Sequence, residues 1–220
     1  MSPRSLKTAR KGAPKGTATS AVIFVHGYGA NGADLLGLAD PLAPHLPKTA
    51  FHAPDAPENC QGNPFGFQWF PIPWLDGSSE QAARAGATMA IADLDAYIDR
   101  VLEDEGLEPS ALALVGFSQG TMMSLAVAPR RKEPLAAVVG FSGRLLEGED
   151  MGWAISKPPV LLIHGDADPM VPFASLSQAA DALHSAGFET YTHICKGLGH
   201  SIDNDGLSLA LSFLRDKLPG

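Results

Sequence analysis

A chain of 220 residues, 45% hydrophobic and 18% charged, is long enough for one domain with a substantial core and too apolar to stay disordered. Its formal net charge of −8 excludes general nucleic-acid binding, which needs a basic face against phosphate. No apolar run approaches the roughly 20 residues that span a bilayer, which excludes stable membrane insertion by a helix.

The first 20 residues carry Arg4, Lys7, Arg10, Lys11 and Lys15 and no acid. Mixed with Ser, Thr, Gly and Pro, this leader reads as a solvated, flexible tail over residues 1–20, ahead of a domain over 21–220. It has no apolar h-region, so a secretory signal is not expected and the cytoplasm is the default location. Cys60 and Cys195 have no CxxC spacing and are expected as thiols of a reducing compartment, not as a disulfide.

From residue 21 the run "AVIFVHG" (21–27) is β-branched and aromatic and is stopped by glycine. Similar runs recur at "TAFHAP" (49–54), "ALALVGF" (111–117), "AAVVGFSG" (136–143), "VLLIHGD" (160–166) and "ETYTHICKG" (189–197). Most are apolar on both faces, as strands buried in a parallel sheet are. Helix-compatible stretches lie between them. In "QAARAGATMAIADLDAYIDRVLEDEG" (81–106), Ile91, Leu94, Ile98, Val101 and Leu102 share one side, and Gly106 and Pro109 end the helix. "TMMSLAVAPR" (121–130), "ASLSQAADALHSAG" (174–187) and "GLSLALSFLRDKL" (206–218) supply three more. The alternation predicts a single α/β domain: a mostly parallel sheet with helices on both faces and no separate cap domain.

One stretch breaks the alternation. Residues 58–79, "ENCQGNPFGFQWFPIPWLDGSS", hold Phe65, Phe67, Trp69, Phe70 and Trp74 among prolines and glycines. Too many breakers interrupt it for a helix or a central strand. A long loop within a compact domain, with clustered aromatics, is predicted to form the rim or wall of an apolar substrate site.

The chemistry centres on "GFSQG" (116–120), between an apolar run and a helical segment. A serine on a sharp strand-to-helix turn needs small neighbours at −2 and +2, because Cβ atoms there collide with the turn. Ser118 is therefore the candidate nucleophile, and a hydroxyl needs a base beside it. Of seven histidines, His26 and His164 lie near strand ends and read as satisfied core or turn residues. His45, His52, His184 and His193 have no distinguishing loop context. His200, in the glycine-containing "KGLGHSIDNDG", follows the last predicted strand, which brings it to the same sheet edge as Ser118.

A third residue must orient the imidazole, and "LLIHGDADPMVP" offers both Asp166 and Asp168, each of which also suits a turn or helix cap. The chain order serine, aspartate, histidine is that of α/β-hydrolases. Two backbone N–H groups must meet the developing oxyanion. One is expected from Gln119, at the start of the helix, and the other from "HGYGANGADL" after the first strand, where Tyr28 follows His-Gly. That loop has neither G-x-G-x-x-G spacing nor a Walker lysine, so nucleotide binding is not expected.

Taken in order, "FVHGYGANGADL", "HAPDAP", "QWFPI", "GFSQG", "HGDADPMVP" and "GLGHS" resemble the phospholipase/carboxylesterase family of α/β-hydrolases, which includes acyl-protein thioesterases and small bacterial carboxylesterases. The resemblance implies Ser118 as nucleophile, Asp168 as orienting acid and His200 as base. It implies the Tyr28 and Gln119 amides as oxyanion donors, and Trp69 and Phe70 as the lining of the acyl pocket. Thr121 departs from the second glycine that relatives often carry after "GFSQG". The loop over 63–74 differs from that of eukaryotic thioesterases, so their lipidated-protein substrates are not carried over.

The expectation is a serine carboxylesterase for short- to medium-chain esters, with no metal or organic cofactor in its mechanism. The rivals are a thioesterase or lysophospholipase using the same triad and, from another class, a catalytically silent binding protein of the same fold. The partner is a small ester or thioester, not nucleic acid. The oligomeric state is left open, a homodimer included.

Overall fold

The computed structural model describes residues 2–60, 63–146 and 151–220. The elements begin with β1 (Thr8–Gly12), β2 (Ser20–Val25), α1 (Gly32–Leu36), α2 (Ala39–Leu42) and β3 (Thr49–Pro54). Two short strands, β4 (Glu58–Asn59) and β5 (Phe67–Gln68), and the single-turn α3 (Pro73–Asp76) lead to the long α4 (Glu80–Glu105). Next come β6 (Leu112–Phe117), α5 (Gln119–Val127), β7 (Ala137–Phe141) and β8 (Val160–Gly165). The chain closes with α6 (Ala174–Ser185), β9 (Thr190–Cys195) and α7 (Asn204–Lys217).

Seven strands form one sheet in the order β1-β3-β2-β6-β7-β8-β9, with every neighbouring pair parallel except β1–β3. All six strands read from the apolar runs are present. Their side chains sort by the period-two rule into two cores. Ile23, Leu112 and Leu114 point to one face, where they meet Leu94 and Ile98 of α4, Met123 of α5 and Leu183 of α6. Val22, Phe24 and Val115 point to the other, with Leu35 of α1, Leu42 of α2 and Leu214 of α7. The fold is a single α/β-hydrolase domain with helices on both faces. No helix among the described residues is long and apolar enough to cross a membrane.

The helix ends follow from local chemistry. The Ser79 hydroxyl accepts from Ala82 N–H at the start of α4, and Gly106, at φ +67°, ends it. The Asp203 carboxylate caps α7 by accepting from Gly206 N–H at 2.8 Å. On α4, Leu94, Ile98, Val101 and Leu102 are buried and Ile91 is half-buried.

The N-terminal residues differ from the flexible tail expected of them. Residues 8–12 form edge strand β1, antiparallel to β3 with Thr8 opposite Pro54 and Gly12 opposite Ala50. Leu6 is buried in the α4-side core. Three of the basic residues that suggested a solvated leader, Arg4, Arg10 and Lys15, pair with acids of α4, and Lys11 pairs with Asp40 of α2. Arg4 pairs with the buried Asp93 at 2.7 Å. Arg10 grips Glu105 through two hydrogen bonds of 2.7 and 2.9 Å, and His52 of β3 lies 3.0 Å from the same carboxylate. Burying an acid on a helix face requires a paired cation, and the leader brings it.

Candidate active site

Strands β2, β6, β8 and β9 are mutually parallel, so the loops that follow them gather at one edge of the sheet. In this topology the chain goes from β2 outward to β3 and then returns to β6 on β2's other side, which opens a crevice at the strand ends. Ser118, Tyr28, Asp168 and His200 all lie in those loops.

Ser118 joins β6 to α5 with φ +54° and ψ −115°, a conformation that costs a non-glycine residue about 1–3 kcal/mol. The surroundings hold it there. Its N–H donates to Phe141 O at 2.8 Å, while its own carbonyl accepts from Thr121 and Met122 N–H. A Cβ on Gly120 would stand 1.8 Å from Val25 O, and one on Gly116 would stand 2.5 Å from Gly120 O. The two glycines are therefore demanded by backbone-to-backbone approach. Thr121, the departure from the family pattern, tightens the same turn, its hydroxyl lying 2.9 Å from Gly116 O and 2.8 Å from Phe141 O.

The two candidate acids have separate partners. Asp168 Oδ2 lies 2.7 Å from His200 Nδ1, while Oδ1 accepts from Met170 and Val171 N–H at 2.8 and 3.0 Å. Asp166 instead caps the neighbouring turn, accepting from Gly197 N–H at 2.6 Å. Burial pushes the Asp168 carboxyl up, but its hydrogen bonds from His200, Val171 and Met170 outweigh that and hold its pKa below the ordinary aspartate value. With Nδ1–H donated to Asp168, the Nε2 of His200 is left as the basic nitrogen. The imidazole packs on Phe117, the residue before Ser118, with ring centroids 4.8 Å apart.

His26 and His164 are buried, as read from their positions near strand ends. His26 Nε2 accepts from Ala56 N–H while Nδ1 lies 2.8 Å from Gly27 O, and burial lowers its pKa, so the ring is neutral. His164 does more than fill space. Its Nε2 lies 3.1 Å from Val171 O and 3.3 Å from Asp168 Oδ2, the same carboxylate oxygen that meets His200.

The oxyanion candidates flank the elbow. Gln119 N–H is in the first turn of α5, where amides have no intrahelical acceptor. A Cβ on Gly27 would be 3.2 Å from Ser118 Cβ, which brings the Gly27–Tyr28 peptide against the serine. The Tyr28 phenol is itself pushed to a higher pKa by burial, with Cys60 and Asp76 adding to the shift.

The aromatic segment over 58–79, of which Gln61 and Gly62 lie outside the described residues, is more ordered than a plain loop. Strands β4 and β5 pair antiparallel. Phe67 O accepts from Gly29 N–H at 2.9 Å and Phe67 N–H donates to Ala30 O at 2.8 Å, so the segment braces the turn that carries Tyr28. Trp69 and Phe70 are not open lining. Trp69 has no exposed surface and Phe70 is 7% exposed, because the chain buries them against the elbow. The Trp69 indole donates to His26 O at 3.0 Å. Phe65 and Trp74 of the same segment are the exposed aromatics, with Leu75 beside them.

One residue acts in a way its sequence context did not reveal. Beyond its backbone amide, Gln119 carries a fully buried side chain whose Oε1 accepts from Trp69 N–H at 2.9 Å and whose Nε2 donates to Phe70 O at 2.8 Å. It stitches the aromatic segment to the Ser118 turn. Glutamine beside the serine was the visible signal, but its partners lie about fifty positions away.

Comparison with known proteins gives the family. The family model described as Phospholipase/Carboxylesterase matches residues 8–218. Esterase YpfH of Escherichia coli (strain K12) is 31% identical over 209 residues, covering 94% of this chain and 86% of that protein. Acyl-protein thioesterase 1 of Neurospora crassa is 28% identical over 215 residues, covering 91% and 88% respectively. Among solved structures, esterase PE8 is similar with a TM-score of 0.91 and 42% identity, over 98% of this chain and 100% of that one.

Proposed function

The chain belongs to the phospholipase/carboxylesterase family and is a serine ester hydrolase, and from that premise we propose that it cleaves short- to medium-chain carboxylic esters through Ser118, His200 and Asp168. The observation that carries the reading is the 2.7 Å contact between His200 Nδ1 and Asp168 Oδ2, with the imidazole packed on Phe117, next in sequence to a serine held at φ +54°.

Ser118 Oγ attacks the acyl carbonyl carbon while His200 Nε2 takes the hydroxyl proton. Asp168 fixes the imidazole by its Nδ1–H and stabilises the imidazolium. The Tyr28 and Gln119 amides receive the charge that develops on the carbonyl oxygen. Collapse breaks the ester C–O bond, and the alcohol leaves with the proton held by His200. Water, deprotonated by His200, then attacks the acyl-enzyme and releases the carboxylic acid. The buried Trp69 and Phe70 back the acyl wall, and Phe65, Trp74 and Leu75 of the same segment offer exposed apolar surface. Two buried thiols, Cys60 and Cys195, fit a reducing compartment, and the cytoplasm is the proposed location.

A thioester is the second reading, favoured by the relative in Neurospora crassa named as an acyl-protein thioesterase. Matched oxygen esters and thioesters over a chain-length series separate the two by kcat/KM. For the triad itself the test is Ser118→Ala, which should lower kcat on p-nitrophenyl esters by at least about 10⁴-fold while the protein stays folded. Fluorophosphonate should label wild type and not the variant. Activity of the variant within a few-fold of wild type removes Ser118 from the mechanism.

A further inference from the structure

The loop that carries His200 starts and ends beside a second group of side chains, which ester hydrolysis does not use. His193 and Cys195 alternate on β9 and therefore face the same side, toward α7. Asp205 stands in the first turn of α7. The imidazole nitrogen, thiol sulfur and carboxylate oxygen of these three residues all lie within 4.8 Å of one another. His193 Nε2 is 2.7 Å from Asp205 Oδ2, and Cys195 Sγ is 3.4 Å from Asp203 Oδ1.

We propose that His193, Cys195 and Asp205 form a site for a thiophilic divalent cation of the zinc type, which fastens together the two ends of the His200 loop.

The donor set selects the ion class. One nitrogen, one sulfur and one oxygen suit zinc or cobalt, whereas magnesium and calcium take oxygen shells. Bonds of about 2.0–2.3 Å around a tetrahedral ion put its donors roughly 3.3–3.8 Å apart. The three groups reach that spacing by side-chain rotations that move atoms about an ångström, with the ion replacing the His193–Asp205 hydrogen bond. Burial is graded across the site. Cys195 is buried, the His193 side chain is 30% exposed and that of Asp205 is 71% exposed. The sulfur thus forms the floor, and solvent supplies both an entry path and a water for the fourth position. The local charge is negative, with Asp203 and Asp205 both beside the sulfur.

Placement gives the site its consequence. His193 and Cys195 come just before the loop that holds His200, and Asp205 just after it. A bound cation ties the open edge strand β9 to α7 and restrains the loop at both ends.

Cobalt is the probe that reads the sulfur. The full chain, stripped with a chelator and titrated with Co²⁺, should bind one equivalent and develop a thiolate-to-cobalt charge-transfer band. Its Tm should rise by roughly 5–10 °C when cobalt is about 100-fold above Kd. His193→Gln and Asp205→Asn alter exposed or half-exposed side chains, so both should fold, as circular dichroism will show. Both should lose the band and the Tm shift. His200→Gln and Cys60→Ser should keep them, which separates this site from the proposed triad and from the other thiol. A wild-type titration with no thiolate band overturns the proposal, as does a band that survives His193→Gln or disappears with Cys60→Ser.

Discussion

At the Ser118 elbow, two glycines let backbone pass against backbone, whereas the N-terminal strand β1 is held by side-chain ion pairs to a helix behind the sheet. The elbow tolerates no added atom: a Cβ on Gly120 would sit 1.8 Å from Val25 O. Strand β1 is exposed or half-exposed throughout, and the N-terminal segment that carries it relies on its pairing with β3 and on Arg4 with Asp93 and Arg10 with Glu105. The first region spends stability to position one atom. The second supplies stability and touches no reacting group. Changes near the elbow and its loops should therefore act on turnover with the fold intact, and changes at β1 should do the reverse.

The largest expected effect sharpens the comparison on the elbow's side. Asp168→Asn should lower kcat by about 10³–10⁴-fold, because the imidazole then loses its orienting carboxylate. Asp166→Asn, at the turn cap, should stay within a few-fold of wild type. The same p-nitrophenyl ester assay reads both, and a reversed ranking moves the triad to Asp166.

Next comes Gln119→Ala, which leaves Trp69 N–H and Phe70 O buried without partners. Each unsatisfied group costs about 1–3 kcal/mol, so urea denaturation should show a loss of about 2–4 kcal/mol. Because the lost bonds also position the aromatic wall, kcat/KM should fall about tenfold or more. A stability loss with unchanged kcat/KM would show that the stitch is structural only.

The smallest effect belongs to β1. Arg10→Gln should leave ester turnover unchanged and lower stability by about 1–3 kcal/mol, since Glu105 keeps its burial and loses its cation. The Arg10 hydrogen bond is the main reason the Glu105 pKa is lowered below the ordinary glutamate value. A depressed folded pKa contributes stability that is complete above the unfolded pKa and is lost as pH falls through the folded one. The Tm gap between wild type and Arg10→Gln should therefore be full near neutrality and shrink as pH drops below about 4. A gap that widens in acid would contradict this pairing.

The same contrast explains what was legible in the sequence. The elbow is a local requirement, so "GFSQG" with its flanking strand and helix announces Ser118. The central strands were equally plain, because β2, β6, β7 and β8 are buried on both faces and read as unbroken apolar runs. The helix after Ser118 begins at Gln119, earlier than its apolar residues suggested, because the turn at Ser118 leads straight into it. Choosing between Asp166 and Asp168 needed a family resemblance, since both stand in a turn where aspartate is common. Strand β1 was hidden because polar, basic residues carry no strand signal and their acids lie about ninety positions away. The burial of Trp69 was hidden for the same reason. Nothing local tells a buried tryptophan from a pocket wall when Gln119 and His26, the residues that bury it, are distant in sequence.

One further result follows from the antiparallel pairing at the N-terminus. With β1 in place, β3 is an interior strand, buried along all six of its residues. Shorten the chain to begin at Ser20 and β3 becomes the sheet's outermost strand, with a row of unpaired amides and carbonyls facing solvent. Such an edge is a template for another chain. The leader therefore acts as a guard against self-association, and a shortened protein would announce its loss first by precipitation, before any change in ester turnover.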